Sequence, residues 1–259
     1  KKKAIETGVT NSRGKIIFQT DADCQIQERW MESLADTFST TTGLVLGPVN
    51  MNPSNGFWSA FAALDFMSLQ ASGAALTLLG KPIMGSAANM GYTKQLWEQA
   101  KKTDTSRESG DDVFLIQEVK RVNAGVAINM NPKCIVQTEA PESFGAMIEQ
   151  RSRWGAKTPS YSSALAKSIA LLVAFYSIWC LVLLGFGIFS KPALQLFIFT
   201  LGVKAALDYY FLKSYSKATK QQSLMKIFPS ASLVYPFYIV ITIATMAFSK
   251  QTWKGRTIR

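Results

Sequence analysis

One stretch limits this fold more than any other. Ser168–Phe189, SIALLVAFYSIWCLVLLGFGIF, runs 22 residues without a charge. A helix needs about 20 apolar residues to cross the hydrocarbon layer, so the stretch predicts a membrane span. Ala193–Leu212 is nearly as apolar, and Ile227–Phe248 is a third such segment, carrying Pro229 and Pro236. Residues 165–259 therefore read as a membrane region of about three helices, near 168–189, 193–212 and 227–248. The net charge of +11 would suit nucleic acid, but its distribution argues otherwise. Residues 1–164 hold 17 Lys and Arg against 16 Asp and Glu, whereas 165–259 hold 11 against Asp208 alone. Basic residues beside apolar segments mark cytoplasmic flanks and contact with anionic lipid. The partner this implies is a membrane, not nucleic acid.

Three full crossings would place Lys213, Lys217, Lys220 and Lys226 on one side and Lys250, Lys254, Arg256 and Arg259 on the other. That opposes the positive-inside trend. Either the trend is broken at the tail or one segment is re-entrant, and the third, which carries the prolines, is the candidate. Within the second segment Lys204 and Asp208 stand four apart on one helix face. Charges there are costly in lipid, so the two are expected to pair with each other or to face protein.

The rest of the chain alternates strand-like and helix-like stretches. Lys15–Thr20, Gly43–Val49, Val126–Asn129 and Cys134–Thr138 are short apolar runs that fit strands, with another short strand expected inside GKPIMGSAANMGYTK. Arg29–Phe38 and Asp112–Val122 have helical spacing. Phe57–Leu79, charged only at Asp65, predicts one long helix or a helix pair. This order is α/β with a sheet and defines a domain over residues 1–140. Residues 141–164 read as an amphipathic interfacial helix. Phe144, Met147 and Ile148 form its apolar stripe, and Gln150, Arg153, Trp154 and Lys157 share another face. The opening KKKAIETG has neither an initiator Met nor a signal peptide, and reads as the start of a piece of a longer protein.

Cys24, Cys134 and Cys180 form no C-x-x-C pair, and histidine is absent. A thiolate or imidazole zinc site is excluded on that count, free thiols fit a reducing compartment, and any metal would need oxygen ligands. Three groups supply polar chemistry. Asp21 and Asp23 follow the apolar run KIIF, and the carboxyl ends of strands are where α/β sheets bind ligands. Two carboxylates so close repel unless a hard divalent cation such as Mg²⁺ or Mn²⁺ lies between them; otherwise they form a solvated turn. Asp111 and Asp112 precede a helical pattern. They fit either a capped first turn or a general base whose pKa a neighbouring acid raises. Gln150-Arg151-Ser152-Arg153-Trp154 fits a basic interfacial helix, or a diphosphate site with a bidentate Arg and a flat Trp.

In this order D-A-D, G-x-x-x-N-M-x-Y (Gly85–Tyr92), G-D-D, T-E-A-P (Thr138–Pro141), Q-x-x-R-W and apolar spans resemble a membrane-bound family 2 glycosyltransferase. That family includes cellulose and hyaluronan synthases and ceramide glucosyltransferases. The resemblance covers residues 1 to about 157. It implies a partial, Rossmann-like GT-A domain lacking its first strands, followed by an α-helical transmembrane region. It further implies that Asp21 and Asp23 meet the donor diphosphate, with Asp23 as the ligand of Mg²⁺ or Mn²⁺. Asp112 would be the catalytic base supported by Asp111. Gln150, Arg153 and Trp154 would hold the diphosphate, with Trp154 and Asn89 on the acceptor side. Trp30 reads as a core residue. The expected partners are a nucleotide-sugar, a UDP-sugar by the same resemblance, and a lipid or glycan acceptor. The expected place is the inner membrane, with the catalytic domain cytoplasmic. Processive polysaccharide synthesis stays open, and so does a non-catalytic membrane-anchored binding protein whose acids are turns and caps.

Overall fold

The computed structural model describes residues 2–103, 111–156, 163–248, 252–253 and 256–257. The chain forms two compact units. One comprises Lys1–Asn52, Phe66–Glu139 and Ala218–Lys220; the other comprises Pro53–Asp65, Ala140–Lys217 and Gln221–Arg259.

The first unit is mixed α/β. Its elements are α1 (Lys2–Asn11), β1 (Ile16–Gln19), α2 (Trp30–Ala35), β2 (Thr42–Leu46), β3 (Val49–Asn52), β4 (Met90–Thr93), α4 (Lys94–Thr103), α5 (Asp111–Arg121), β5 (Gly125–Ile128) and β6 (Val136–Glu139). The helix α3 (Phe57–Leu78) separates β3 from β4. One sheet has the order β1-β4-β2-β5, and β3 pairs with β6 in a second. β4 is antiparallel to both β1 and β2, while β2 and β5 are parallel. So β1, β2 and β5 point one way and their carboxyl ends share an edge. Leu44, Leu46, Met90 and Tyr92 from the sheet pack with Leu96, Leu115, Ile116 and Val119 from α4 and α5, all at most 3% exposed. Burying each such side chain contributes roughly 1.5–3 kcal/mol.

The direction of α5 follows from two glycines. A Cβ at Gly43, near the start of β2, would meet Ala124 just after α5 at 2.9 Å, whereas one at Gly85 would lie 2.7 Å from Leu46 at the end of β2 and 3.4 Å from Ile116. Hence α5 runs against β2, and its first residues stand at the edge where β1, β2 and β5 end.

The second unit is helical. It holds α6 (Phe144–Gly155), α7 (Ala164–Gly187), α8 (Lys191–Ala218) and α9 (Phe228–Phe248), with a two-stranded pair of Thr252–Trp253 and Arg256–Thr257. Ser143 and Ser163 cap α6 and α7, each accepting from the backbone N–H three residues on. Among the described residues, Phe57–Leu78, Ala164–Gly187 and Phe228–Phe248 are long and apolar enough to cross a membrane, as in a membrane protein. The sequence assigned spans to α7 and α9 but put α3 in the α/β domain. In α3, 61% of the apolar window is buried inside the protein, against 17% in α7 and 28% in α9, so α3 serves as a core helix. The predicted segment 193–212 lies within α8, which falls outside that set because Gln195, Lys204 and Asp208 interrupt its apolar run. It still exposes Ile198, Phe199 and Leu207. α9 is continuous through Pro236 over 21 residues, about 31 Å at 1.5 Å per residue. The proline-bearing segment is thus one uninterrupted helix.

Candidate active site

β1 ends on an anchored residue. Gln19 donates from Nε2 to Ala87 O (3.2 Å), and the Tyr92 hydroxyl donates to Gln19 Oε1 (3.2 Å). Phe18 packs edge-on to Trp30 and Phe38 on the sheet behind. The chain then leaves the sheet as Asp21-Ala22-Asp23, in a turn closed by Cys24 N donating to Asp21 O (3.1 Å). Asp21 is half-buried and Asp23 exposed. Gln25 and Gln137 exchange backbone hydrogen bonds of 2.8 and 2.9 Å, which ties this loop to β6. Burial pushes the Cys24 thiol above its ordinary value; a hydrogen bond with Thr138 opposes this, and the carboxylates of Asp21 and Asp23 add to it. That places Thr138, of T-E-A-P, beside the acidic turn.

Asp111 and Asp112 open α5 at the same sheet edge. Their side chains, and Gly110 before them, lie outside the described residues. The positive end of the helix dipole lies at this edge too, which favours anions there. Asn89 lies in the interior of the first unit. It is fully buried, its Nδ2 donates to Pro48 O and Cys134 O (both 2.7 Å), and its Oδ1 accepts from Trp30 Nε1 (2.9 Å). Its amide fastens the β2–β3 corner, the segment entering β6 and the helix after the acidic turn. Trp30 is a core residue, as expected. Cys134 is buried alongside, and burial raises its thiol to about 11.

The residues Gln150, Arg153 and Trp154 belong to α6 of the second unit, each partly exposed; Lys157, expected on their face, lies outside the described residues. α6 buries Met147, Ile148 and Ser152. It packs against α9, where Ser152 Oγ donates to Thr242 O (3.5 Å) and a Cβ at Gly155 would lie 2.7 Å from Met246 Sδ. Sequence reasoning passed over the charge between them. Arg151 Nε lies 3.3 Å from Asp65 Oδ2, which also accepts from the Tyr238 hydroxyl (3.0 Å). Two signals were available. Asp65 is the one charge in α3, and Arg151 stands four after Met147 and three after Ile148, on the apolar stripe.

Among the described residues no three His, Cys, Asp or Glu side chains form a metal-holding group. The acidic turn offers two carboxylates, one of them exposed. That donor set does not make an all-protein cage, but it fits Mg²⁺ or Mn²⁺, which keep water and substrate phosphate among their ligands.

The α/β unit carries acids at a sheet edge, and the same chain has helices long and apolar enough to cross a membrane. The whole chain, residues 1–259, matches the family model described as Glycosyl transferase family 21, so the protein belongs to that family and is a glycosyltransferase. It thus acts on a sugar donor and an acceptor. The motif resemblance had pointed to family 2; the transferase class agrees and the family number differs. No curated protein matches the chain.

Proposed function

We propose that this glycosyltransferase moves a single hexose from a UDP-sugar to a lipid acceptor, with inversion, at the cytoplasmic face of the inner membrane. The observation that carries the reading is the meeting of Asp21, Asp23 and the opening of α5 at one sheet edge, in a chain of this family. Charge accumulates on the leaving diphosphate as the C1–O bond breaks. Asp23 and Asp21 would hold Mg²⁺ or Mn²⁺, which when bound neutralises part of that charge. Arg153 pairs with phosphate oxygens, Gln150 donates beside it, and Trp154 offers a flat surface toward the acceptor. Asp112, supported by Asp111, takes the proton from the acceptor hydroxyl as that oxygen attacks C1 opposite the leaving group. A positioned base of this kind contributes roughly 10²–10⁴-fold. Asn89 would influence the acceptor through the corner it fastens, not through its own amide. The few membrane helices among the described residues favour a lipid acceptor over processive synthesis, which needs a channel.

The test uses membranes from cells expressing the complete protein, incubated with a panel of labelled nucleotide sugars. The expected result is a labelled product that extracts into organic solvent. Label in a high polymer supports processive synthesis instead, and no transfer from any donor refutes the proposal. Asp112→Asn should abolish transfer and leave donor binding in place. Loss of both together would mean that Asp112 supports the fold.

A further inference from the structure

The buried charges of the helical unit have no part in the chemistry above. A lone guanidinium in an apolar stripe costs several kcal/mol unless it is paired. Arg151 is 20% exposed and Asp65 5%, and a single carboxylate oxygen of Asp65 receives both the guanidinium and the Tyr238 hydroxyl. Tyr235, one turn earlier on α9, also lies beside Arg151. Burial opposes the charge on Arg151, but the Asp65 carboxylate outweighs it and holds the guanidinium protonated. The first turns of α3, the middle of α6 and the middle of α9 are thus tied at one point.

The position of that point on α6 matters. Successive residues turn by about 100°, so Arg151 lies about 160° from Arg153 and about 60° from Trp154. Fixing Arg151 fixes the rotation of α6 about its axis, and with it the directions of Gln150, Arg153 and Trp154. Phe144 against Trp58, ring centroids 4.6 Å apart, fixes the start of the same helix.

We propose that Asp65, Arg151 and Tyr238 are positioning residues for glycosyl transfer, a buried clamp that aims the phosphate-binding face of α6. The proposal rests on the reading above that Arg153 holds the donor diphosphate. A displacement of about 1 Å at a reacting centre can lower the rate about 10²-fold. A buried pair with only a structural role can be replaced by apolar residues without loss.

The decisive variant is therefore the double Asp65→Leu/Arg151→Met, which leaves no unpaired charge. It is assayed as the complete protein in membranes, with tritiated UDP-glucose as donor probe and endogenous lipid as acceptor. Melting is expected to stay close to that of the unsubstituted protein, with kcat/KM for the donor down at least tenfold and the acceptor KM unchanged. A double variant as active as the unsubstituted protein overturns the clamp. If that variant does not fold, Tyr238→Phe removes one hydroxyl only. It should raise the donor KM at least threefold without moving the acceptor KM, and an unchanged donor KM overturns the proposal equally. Arg153→Ala separates the two claims. If it leaves the donor KM unaltered, the reading of the motif fails and the clamp with it. If it raises the donor KM while the clamp variants do not, only the clamp fails.

Discussion

Replacing Asn89 by Ala tests the architecture behind the acidic turn. The amide makes three hydrogen bonds, to Trp30 Nε1, Pro48 O and Cys134 O. Pro48 O would keep a partner, because Val136 N donates to it at 3.1 Å. The loss therefore falls on the Trp30 N–H and the Cys134 carbonyl, two buried groups at about 1–3 kcal/mol each. A total near 4 kcal/mol, in a chain of this length, lowers Tm by roughly 10 °C. Gly47 supplies an internal control. Its three nearest neighbours for an added Cβ are all atoms of the Asn89 side chain, at 2.4 to 2.6 Å. Gly47→Ala alone should destabilise by displacing that amide, whereas in the Asn89→Ala background the methyl has room. The double variant should then melt within about 2 °C of Asn89→Ala, a strong departure from additivity. The assay is thermal unfolding of the complete protein in detergent, followed by a thiol-reactive dye, since Cys134 and Cys180 are buried until the protein opens. Strict additivity, or an Asn89→Ala melt unchanged from that of the parent, refutes the hub.

The buried Cys134 thiol should leave a mark at alkaline pH. Its folded value of about 11 exceeds the ordinary 9.0, so the folded state keeps a proton that the unfolded state releases. The resulting stabilisation is complete below about pH 9 and is lost as pH rises toward 11, at most about 3 kcal/mol at 1.36 kcal/mol per pH unit. Cys134→Ala should flatten the fall in Tm between pH 9 and 11, and an unchanged slope refutes this. Lys204 pairs with Asp208 and lies 5.2 and 5.1 Å from the ring centres of Tyr176 and Tyr235. Lys204→Met alone should melt lower than Lys204→Met/Asp208→Leu, because the single change strands a carboxylate in an apolar region; the reverse order excludes a mutual pair.

Much of the α/β unit was legible because its strands are short apolar runs set off by turns. β1, β5 and β6 fall within the predicted limits to a residue or two. β3 was not separated from β2, since VNMN alternates Asn with apolar residues. Its asparagines are accommodated by tertiary partners, Asn50 donating to Thr219 O (2.8 Å) and Asn52 to Gln137 Oε1 (3.1 Å). No local rule supplies those. α4 follows β4 without a Gly or Pro to mark its start, and α1 carries too many polar residues and Gly8 to announce a helix. The acids and Q-x-x-R-W were found as motifs, but a motif says nothing of burial, and so the enclosure of the Asn89 side chain was not legible.

The same contrast explains why the motif's second residue, Arg151, escaped notice. Spacing placed Gln150, Arg153 and Trp154 on one face and left Arg151 as filler. Yet a helix that is to hold phosphate on a partly exposed face, as proposed for α6, needs something on its hidden face to resist rotation, and apolar contacts slide more readily than a paired charge turns. A guanidinium held by an acid 86 positions earlier in the chain is directional, and it cannot rotate away without separating two opposite charges in a buried place. On the proposed reading such a residue acts through Arg153, so its substitution should alter how well the donor is held while leaving the acceptor oxygen to Asp112, the proposed base. A pH–rate profile tests that division. In Tyr238→Phe its limbs should keep their apparent pKa values while its height falls. A shifted limb would place Tyr238 or its partners in the proton transfer itself and remove them from the role of clamp.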